Sequence, residues 1–281
     1  MMTRPAALAR PCGMTQRLVL DHITVADATP IQLVELAAAT GCAGIGLFME
    51  PMAVLPLMPA FDLYGSSAAR RELGAALRAN GVTLDIAYPF TLGSRTEVAA
   101  LAGAMDCAAE LGAGLLNVLA YGRDPARRAD QFAALCDMAR ARGLRVGIEF
   151  FPASQVGSLG AALALVAAIG RPGEVGVNVD LLHLMRTGGT LAELAAAPPG
   201  TILCGQLADG PLAAPADPVH EASAARCLAG EGAFDLAGFV AALPAGCPVS
   251  VEIPRDADAA TMSALARARR AVEGVRRVLG G

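Results

Sequence analysis

Short apolar runs rich in β-branched residues alternate with amphipathic stretches of helical period through almost the whole chain. Eight runs read as strands: LVLDHITV at 18–25, GIGLF at 44–48, TLDIAY at 83–88, LLNVL at 115–119, RVGIEF at 145–150, VGVNVD at 175–180, ILCGQL at 202–207 and VSVEIP at 249–254. Most are apolar without alternation, the pattern of strands covered on both faces in a parallel sheet. The clearest helix is predicted over 125–142, where Asp124 supplies an N-cap, Pro125 the first helical position and Gly143 the stop. Its Phe132, Leu135, Cys136 and Ala139 form one core-facing stripe. The segment 97–111 repeats this with Val98, Leu101, Met105 and Ala108 before Gly112, and a final helix is predicted over 259–279 with Met262, Leu265, Val272, Val275 and Leu279 on a common side.

Eight such alternations predict a closed (β/α)8 barrel, a TIM barrel, and not an open doubly wound sheet. No GxGxxG follows the first strand to mark a nucleotide-binding turn. No linker divides the chain, so it reads as a single α/β domain over 17–281 behind a flexible N-terminal extension at 1–16. Two βα loops stand out for their length, 49–66 and 208–233. The first is rich in Met and Pro, and its Met52, Leu55, Leu57, Met58 and Phe61 suit a lid, core or an interface, which leaves a homodimer open.

Length agrees with this reading, because 281 residues fit one barrel of about 250 plus loops. The 54% hydrophobic fraction is largely alanine, which makes the chain globular without making it a membrane protein. All 22 basic residues are arginine, so chemistry that needs a Schiff-base lysine is excluded. With 26 acidic residues the net charge is −4, and no basic run offers a nucleic-acid footprint. Seven cysteines, at 12, 42, 107, 136, 204, 227 and 247, show no CxxC or Cys/His spacing and read as reduced thiols of a cytoplasmic protein. The apolar stretch PAALA near the N-terminus is too short for a signal segment, and no run reaches the ~20 apolar residues of a membrane span. The expected partner is a small molecule.

Polar side chains at strand ends carry the chemical signal. Strand ends of a barrel converge on one rim, and Glu149, Asp180, Gln206 and Glu252 fall near the ends of the last four strands. Each interrupts an apolar run, so each must be paired, metal-bound or neutral. Three carboxylates and an amide oxygen form a hard set suited to one divalent ion, Mg²⁺ or Mn²⁺. His183, three residues after Asp180, reads either as a rim histidine bonded to a loop carbonyl or as a neutral imidazole beside the ion that binds a hydroxyl or moves a proton. Arg226 is either a solvated loop arginine or a two-point anchor for substrate oxygens. Glu221 reads as a partner for Arg226, a substrate contact or a surface acid. Asp209 suits the task of orienting a ligand or a loop amide.

These motifs resemble the xylose isomerase-like barrel family of sugar phosphate isomerases and epimerases. The resemblance runs from the first strand to the end and is most specific over VGIEFFP, VNVDLLHLMRTGG, CGQLADGP, EASAARCLAGEGAFDL and VSVEIP. It implies metal-binding glutamates at Glu149 and Glu252, a D-x-x-H pair at Asp180 and His183, Gln206 followed by Asp209, and a substrate-holding arginine at Arg226. Many epimerases of the family carry histidine where Gln206 stands, whereas some dehydratases carry glutamine. Members similar to endonuclease IV use many histidines, and this chain has only His22, His183 and His220.

The implied reaction is isomerisation or epimerisation of a small sugar-like polyhydroxy carbonyl compound. A divalent ion stabilises the enediolate left when a glutamate removes a neighbouring carbon-bound proton. Glu149 and Glu252, set by the resemblance on opposite faces of the carbon, are the acid–base pair. A dehydratase of the 3-dehydroshikimate or inosose type shares the first step and then expels a β-hydroxyl. A non-catalytic binding barrel has no use for two such glutamates.

Overall fold

A computed structural model of the chain describes residues 16–280. Eight parallel strands close in chain order: β1 Leu18–Asp21, β2 Gly44–Phe48, β3 Thr83–Leu92, β4 Leu115–Ala120, β5 Arg145–Glu149, β6 Val175–Asp180, β7 Ile202–Leu207 and β8 Val249–Val251. The barrel closes where Leu18, Val19 and Leu20 of β1 register with Val249, Ser250 and Val251 of β8. Around it run α1 Pro30–Ala39, α2 Ser67–Asn80, α3 Ala102–Glu110, α4 Pro125–Arg140, α5 Leu159–Ile169, α6 Leu181–Arg186, α7 Leu191–Ala195, α8 Pro218–Ala224, α9 Leu236–Ala242, α10 Asp256–Ala259 and α11 Ala264–Gly280. The predicted TIM barrel is therefore the observed fold. Of the extension read over 1–16, all but Gln16 lies outside the described residues.

The main apolar core lies between the strands and the helix ring. Phe132, Leu135, Cys136 and Ala139 of α4 are buried there, and Asp124 caps the helix by accepting from the Ala126 and Arg127 amides at 3.0 and 3.2 Å. No described helix is long and apolar enough to cross a membrane. Cys42, Cys107, Cys136 and Cys204 are buried thiols, and Cys227 is a half-buried one.

Several element boundaries differ from the sequence reading, β3 running on to Leu92 and β8 stopping at Val251. The first run does not stay extended to 25: β1 stops at Asp21, whose side chain accepts the Ile23 amide at 3.3 Å and turns His22–Val25 into a short 3-10 helix. The segment 97–111 is a 3-10 turn, Val98–Leu101, followed by α3. The last helix is broken at 260–263, where Ser263 caps a fresh start by accepting the Ala266 amide, so Met262 falls outside α11 while Val272 and Val275 stay buried on it. Loop 49–66 divides its apolar residues between two environments. Met49, Leu55 and Leu63 are buried, Phe61 packs 6.2 Å from the His22 ring, and Val54 and Leu57 face solvent.

Candidate active site at the strand ends

Strand register brings the site together. Asp180, the last residue of β6, stands beside Gln206 on β7, and Glu149, the last of β5, stands beside Asn178. Glu252 follows β8 by one residue. Asp180 is also the N-cap of α6 and accepts the His183 amide at 3.1 Å. That cap explains the D-x-x-H spacing, since an N-cap carboxylate bonds the amide three residues on and holds the first turn over itself. His183 Nε2 consequently lies 3.6 Å from Glu149 Oε1 and 4.0 Å from Asp180 Oδ2. The ring rests on Phe151, which meets Tyr121 edge-on.

Glu149, Asp180 and His183 each offer a ligand atom, and these atoms lie within 4.8 Å of one another. Two metal–ligand bonds of about 2.0–2.6 Å span distances of that order, so the cluster fits a divalent ion. His183 adds a nitrogen to the oxygen set expected from sequence, and a mixed set also suits borderline ions. Gln206 is fully buried, and its Oε1 accepts from Asn178 Nδ2 at 2.7 Å. Glu252, expected as a ligand, is not one of the three clustered residues and is tied to Asp180 through Arg226, whose Nη1 donates to Asp180 Oδ2 at 2.6 Å, to the Glu252 carbonyl at 3.2 Å and to Glu252 Oε2 at 3.5 Å.

Arg226 is thus no solvated loop residue: it is 2% exposed and its Nε is held by the Ala222 carbonyl at 2.9 Å. Glu221 is buried and pairs in two-point fashion with Arg186, at 2.6 and 2.8 Å, where the sequence reading offered Arg226 as its partner. Arg186 also holds the Pro211 carbonyl at 2.9 Å and lies over the Phe234 ring, so it ties α6 to loop 208–233. Asp209 orients loop amides, as expected. Its two oxygens accept from the amides of Gly210, Phe234, Gly230 and Gly232 at 2.8 to 3.1 Å. A Cβ on Gly232 would run into that carboxylate, which requires glycine there.

Burial and charge set the protonation states. Burial, then the Asp180 charge, pushes the Glu149 carboxyl up to about 8, against the pull of the Asn117 amide and Arg226. Burial also raises Glu252 well above the carboxylate range. Asp180 goes the other way: burial opposes its ionisation, but Arg226 and His183 overcome that and hold it below its ordinary value. Burial lowers His183 to about 4, which leaves a neutral imidazole at pH 7.

Sequence reasoning missed Asp21, Asn117, Asn178 and Arg186. Asp21 ends β1 fully buried, accepts from Tyr88 OH and from Ser250 Oγ at 3.1 Å, and is raised by burial to about 7. Asn117 donates to Glu149 Oε2. Asp21, Asn117 and Asn178 each interrupt an apolar strand, the signal that marks the four strand-end residues, whereas Arg186 closes α6 and carries no such signal.

Residues 34–278 match the profile of the xylose isomerase-like TIM barrel. A 3-dehydroshikimate dehydratase of Pseudomonas aeruginosa is 35% identical over 160 residues, which are 56% of this chain but only 24% of that protein. Among solved structures, a xylose isomerase-like TIM barrel/4-hydroxyphenylpyruvate dioxygenase fusion protein superposes with a TM-score of 0.78 at 21% identity, over 94% of this chain and 43% of the other. The IolI protein with a bound zinc atom gives 0.73 at 19% identity, over 94% and 96%. A D-psicose 3-epimerase of Clostridium cellulolyticum H10, with D-tagatose, gives 0.68 at 16%, over 94% and 99%. The structural likenesses speak for the fold, and the profile match speaks for descent: this chain belongs to the xylose isomerase-like TIM barrel family.

Proposed function

We propose that the chain is a divalent-metal-dependent enzyme that removes a carbon-bound proton next to the carbonyl of a small polyhydroxy compound, and that it completes the reaction as a dehydratase. The observation that carries the metal is a charge imbalance. Glu149, Asp180 and Glu252 are buried together, and the buried cation beside them, Arg226, pairs with Asp180 and Glu252. Carboxyl groups in such surroundings need further positive charge to ionise together. The holding set is Glu149, Asp180, Gln206 and Glu252, with His183 adjoining, and the ion is Mn²⁺ or Mg²⁺. When bound, it polarises the substrate carbonyl or a vicinal hydroxyl.

The side chains then divide the work. One of the two glutamates takes the proton from carbon. Asn117 occupies Glu149 Oε2 and leaves Oε1, on the His183 side, as the basic oxygen. Neutral His183 holds a substrate hydroxyl, and the glutamate that has taken the proton from carbon returns it to the β-hydroxyl, which leaves as water. Arg226 commits Nη1 and Nε to the protein, which leaves Nη2 for a substrate oxygen. Loop 49–66 covers the rim as a lid, and the reaction is placed in the cytoplasm.

Expulsion of a β-hydroxyl is favoured because Gln206 and the 35%-identical relative both point to a dehydratase of the 3-dehydroshikimate class. An epimerase or isomerase is the second reading. It is supported by the second buried glutamate, since inversion requires an acid and a base at one carbon. Metal-stripped protein, reloaded with Mn²⁺, is given 3-dehydroshikimate in one arm and ketohexoses in D₂O in the other. Loss of 18 mass units with rising ultraviolet absorbance supports the dehydratase, and carbon-bound deuterium without water loss supports the epimerase. Neither signal, in protein shown to bind Mn²⁺, would refute proton abstraction from these substrate classes.

A further inference from the structure

We infer that Asn178 is a positioning residue that decides which end of the Gln206 side-chain amide is presented to the divalent ion. The inference rests on the reading of Gln206 as a ligand. A glutamine ligand has a difficulty that a carboxylate lacks. Its amide oxygen carries lone pairs for a cation, its NH₂ carries none to give, and the two ends are nearly the same size. Unless something holds the amide, a half-turn about its last bond removes a ligand.

The structure supplies the hold as a chain of amides inside the barrel. Glu149 Oε2 accepts from Asn117 Nδ2, Asn117 Oδ1 accepts from Asn178 Nδ2 at 3.1 Å, and the same Asn178 Nδ2 donates to Gln206 Oε1 at 2.7 Å. The chain begins on an acceptor. Once the positive charge of the ion ionises Glu149, its carboxylate can only accept, so Asn117 must turn its NH₂ toward Glu149 and its oxygen toward Asn178. Asn178 must then offer its NH₂ in that direction, and the second hydrogen of the same group reaches Gln206. A flipped Gln206 would set NH₂ against NH₂. Polarity at one side of the site is thereby transmitted to the other, across β4, β5, β6 and β7.

Burial makes the transmission effective. Asn117, Asn178 and Gln206 are 2%, 0% and 0% exposed, so water does not compete for these groups. The other end of the Gln206 amide reinforces the orientation. Its NH₂ lacks a well-formed partner but acts on the Asp21 carboxyl, which Tyr88 and Ser250 hold in place. A Cβ on Gly46 would collide with both Tyr88 and Asp21, so β2 leaves room for that arrangement. Asn178 Oδ1 is buried without a partner. An asparagine kept for packing alone would waste that acceptor, whereas one kept for its NH₂ has both hydrogens in use.

The test is a double-mutant cycle read as Mn²⁺ affinity by isothermal titration calorimetry, with far-ultraviolet circular dichroism confirming the barrel. Asn178→Leu preserves size and removes the donor, and Asn178→Ala is the second variant if the first does not fold. Partners that orient metal ligands typically contribute 10–100-fold in affinity, so Asn178→Leu is expected to weaken Mn²⁺ binding by about that factor. Gln206→Ala weakens it as well. In the Gln206→Ala background the Asn178 change is expected to cost less than about threefold, because no amide remains to be oriented. A loss that persists undiminished there overturns the inference, since Asn178 would be acting on the fold or on Glu149. So does unchanged affinity of the Asn178 variants while Gln206→Ala is weakened. Wild-type affinity in Gln206→Ala itself removes Gln206 from the ligand set, and the underlying reading fails at that point.

Discussion

Replacing Arg226 by methionine removes the guanidinium while keeping most of the side-chain volume, and it tests whether the buried charges are balanced as described. Arg226 and Asp180 are 2% and 0% exposed and 2.6 Å apart, so solvent screens them little. Breaking a buried pair by removing one partner costs about 3–5 kcal/mol, because the remaining charge is left uncompensated. For a chain of this size each kcal/mol moves Tm by about 2–4 °C, so the metal-free variant should melt roughly 6–20 °C below wild type. Calorimetry in EDTA measures this. The pH dependence has a defined sign: Arg226 helps hold the Asp180 pKa below its unfolded value, so the stabilisation is present above about pH 4 and lost as pH falls through the folded value. The gap between the proteins should therefore be widest near pH 7 and start to narrow only below about pH 4. Mn²⁺ should narrow it at pH 7 by bringing positive charge to the same carboxylates. A metal-free variant within 2 °C of wild type at pH 7 would refute the account of Arg226 as their counter-charge.

Three further outcomes are expected. Glu149→Gln and Glu252→Gln should each lower turnover by roughly 10² or more while Mn²⁺ binding stays measurable, and Gln206→His should be milder; full turnover in either glutamate variant removes that residue as the base. Because Glu149 is raised to about 8, the folded state holds a proton that the unfolded state releases, so its contribution in metal-free protein should make Tm fall from about pH 4.5 to 8, and Glu149→Gln should flatten that slope. Finally, Glu221→Gln should loosen the two-point pair with Arg186 and expose the 208–217 segment, seen as faster limited proteolysis there and a raised KM; unchanged proteolysis would show the segment is held by other contacts.

The barrel was legible because its signals are local and repeated. β4 to β7 coincide with the predicted runs to within a residue, since strands covered on both faces cannot alternate and stand out as apolar blocks. Boundaries failed where one polar side chain redirects the backbone, a choice that hydrophobic period does not encode. Asp21 ends β1 by capping the turn behind it, and Ser263 restarts a helix that the apolar stripe alone would have run through.

The site was legible to the extent that its members share one rule, a polar residue at the end of an apolar strand. That rule found Glu149, Asp180, Gln206 and Glu252. It passed over Asp21 because LVLDHITV looked like one unbroken strand. It passed over Asn117 and Asn178 because they lie inside strands, where an amide looks like a tolerated packing residue. What separates a packing asparagine from one that transmits orientation is which neighbour accepts its hydrogens, and that depends on register across four strands. The D-x-x-H motif shows the opposite case. Its geometry is contained in one helical turn, with Asp180 capping the His183 amide, so the three-residue spacing alone brings both side chains to the same rim of the barrel. Local geometry can be read from spacing, whereas Arg226 reaches Asp180 from 46 residues away, and only the closed barrel brings the two within 2.6 Å.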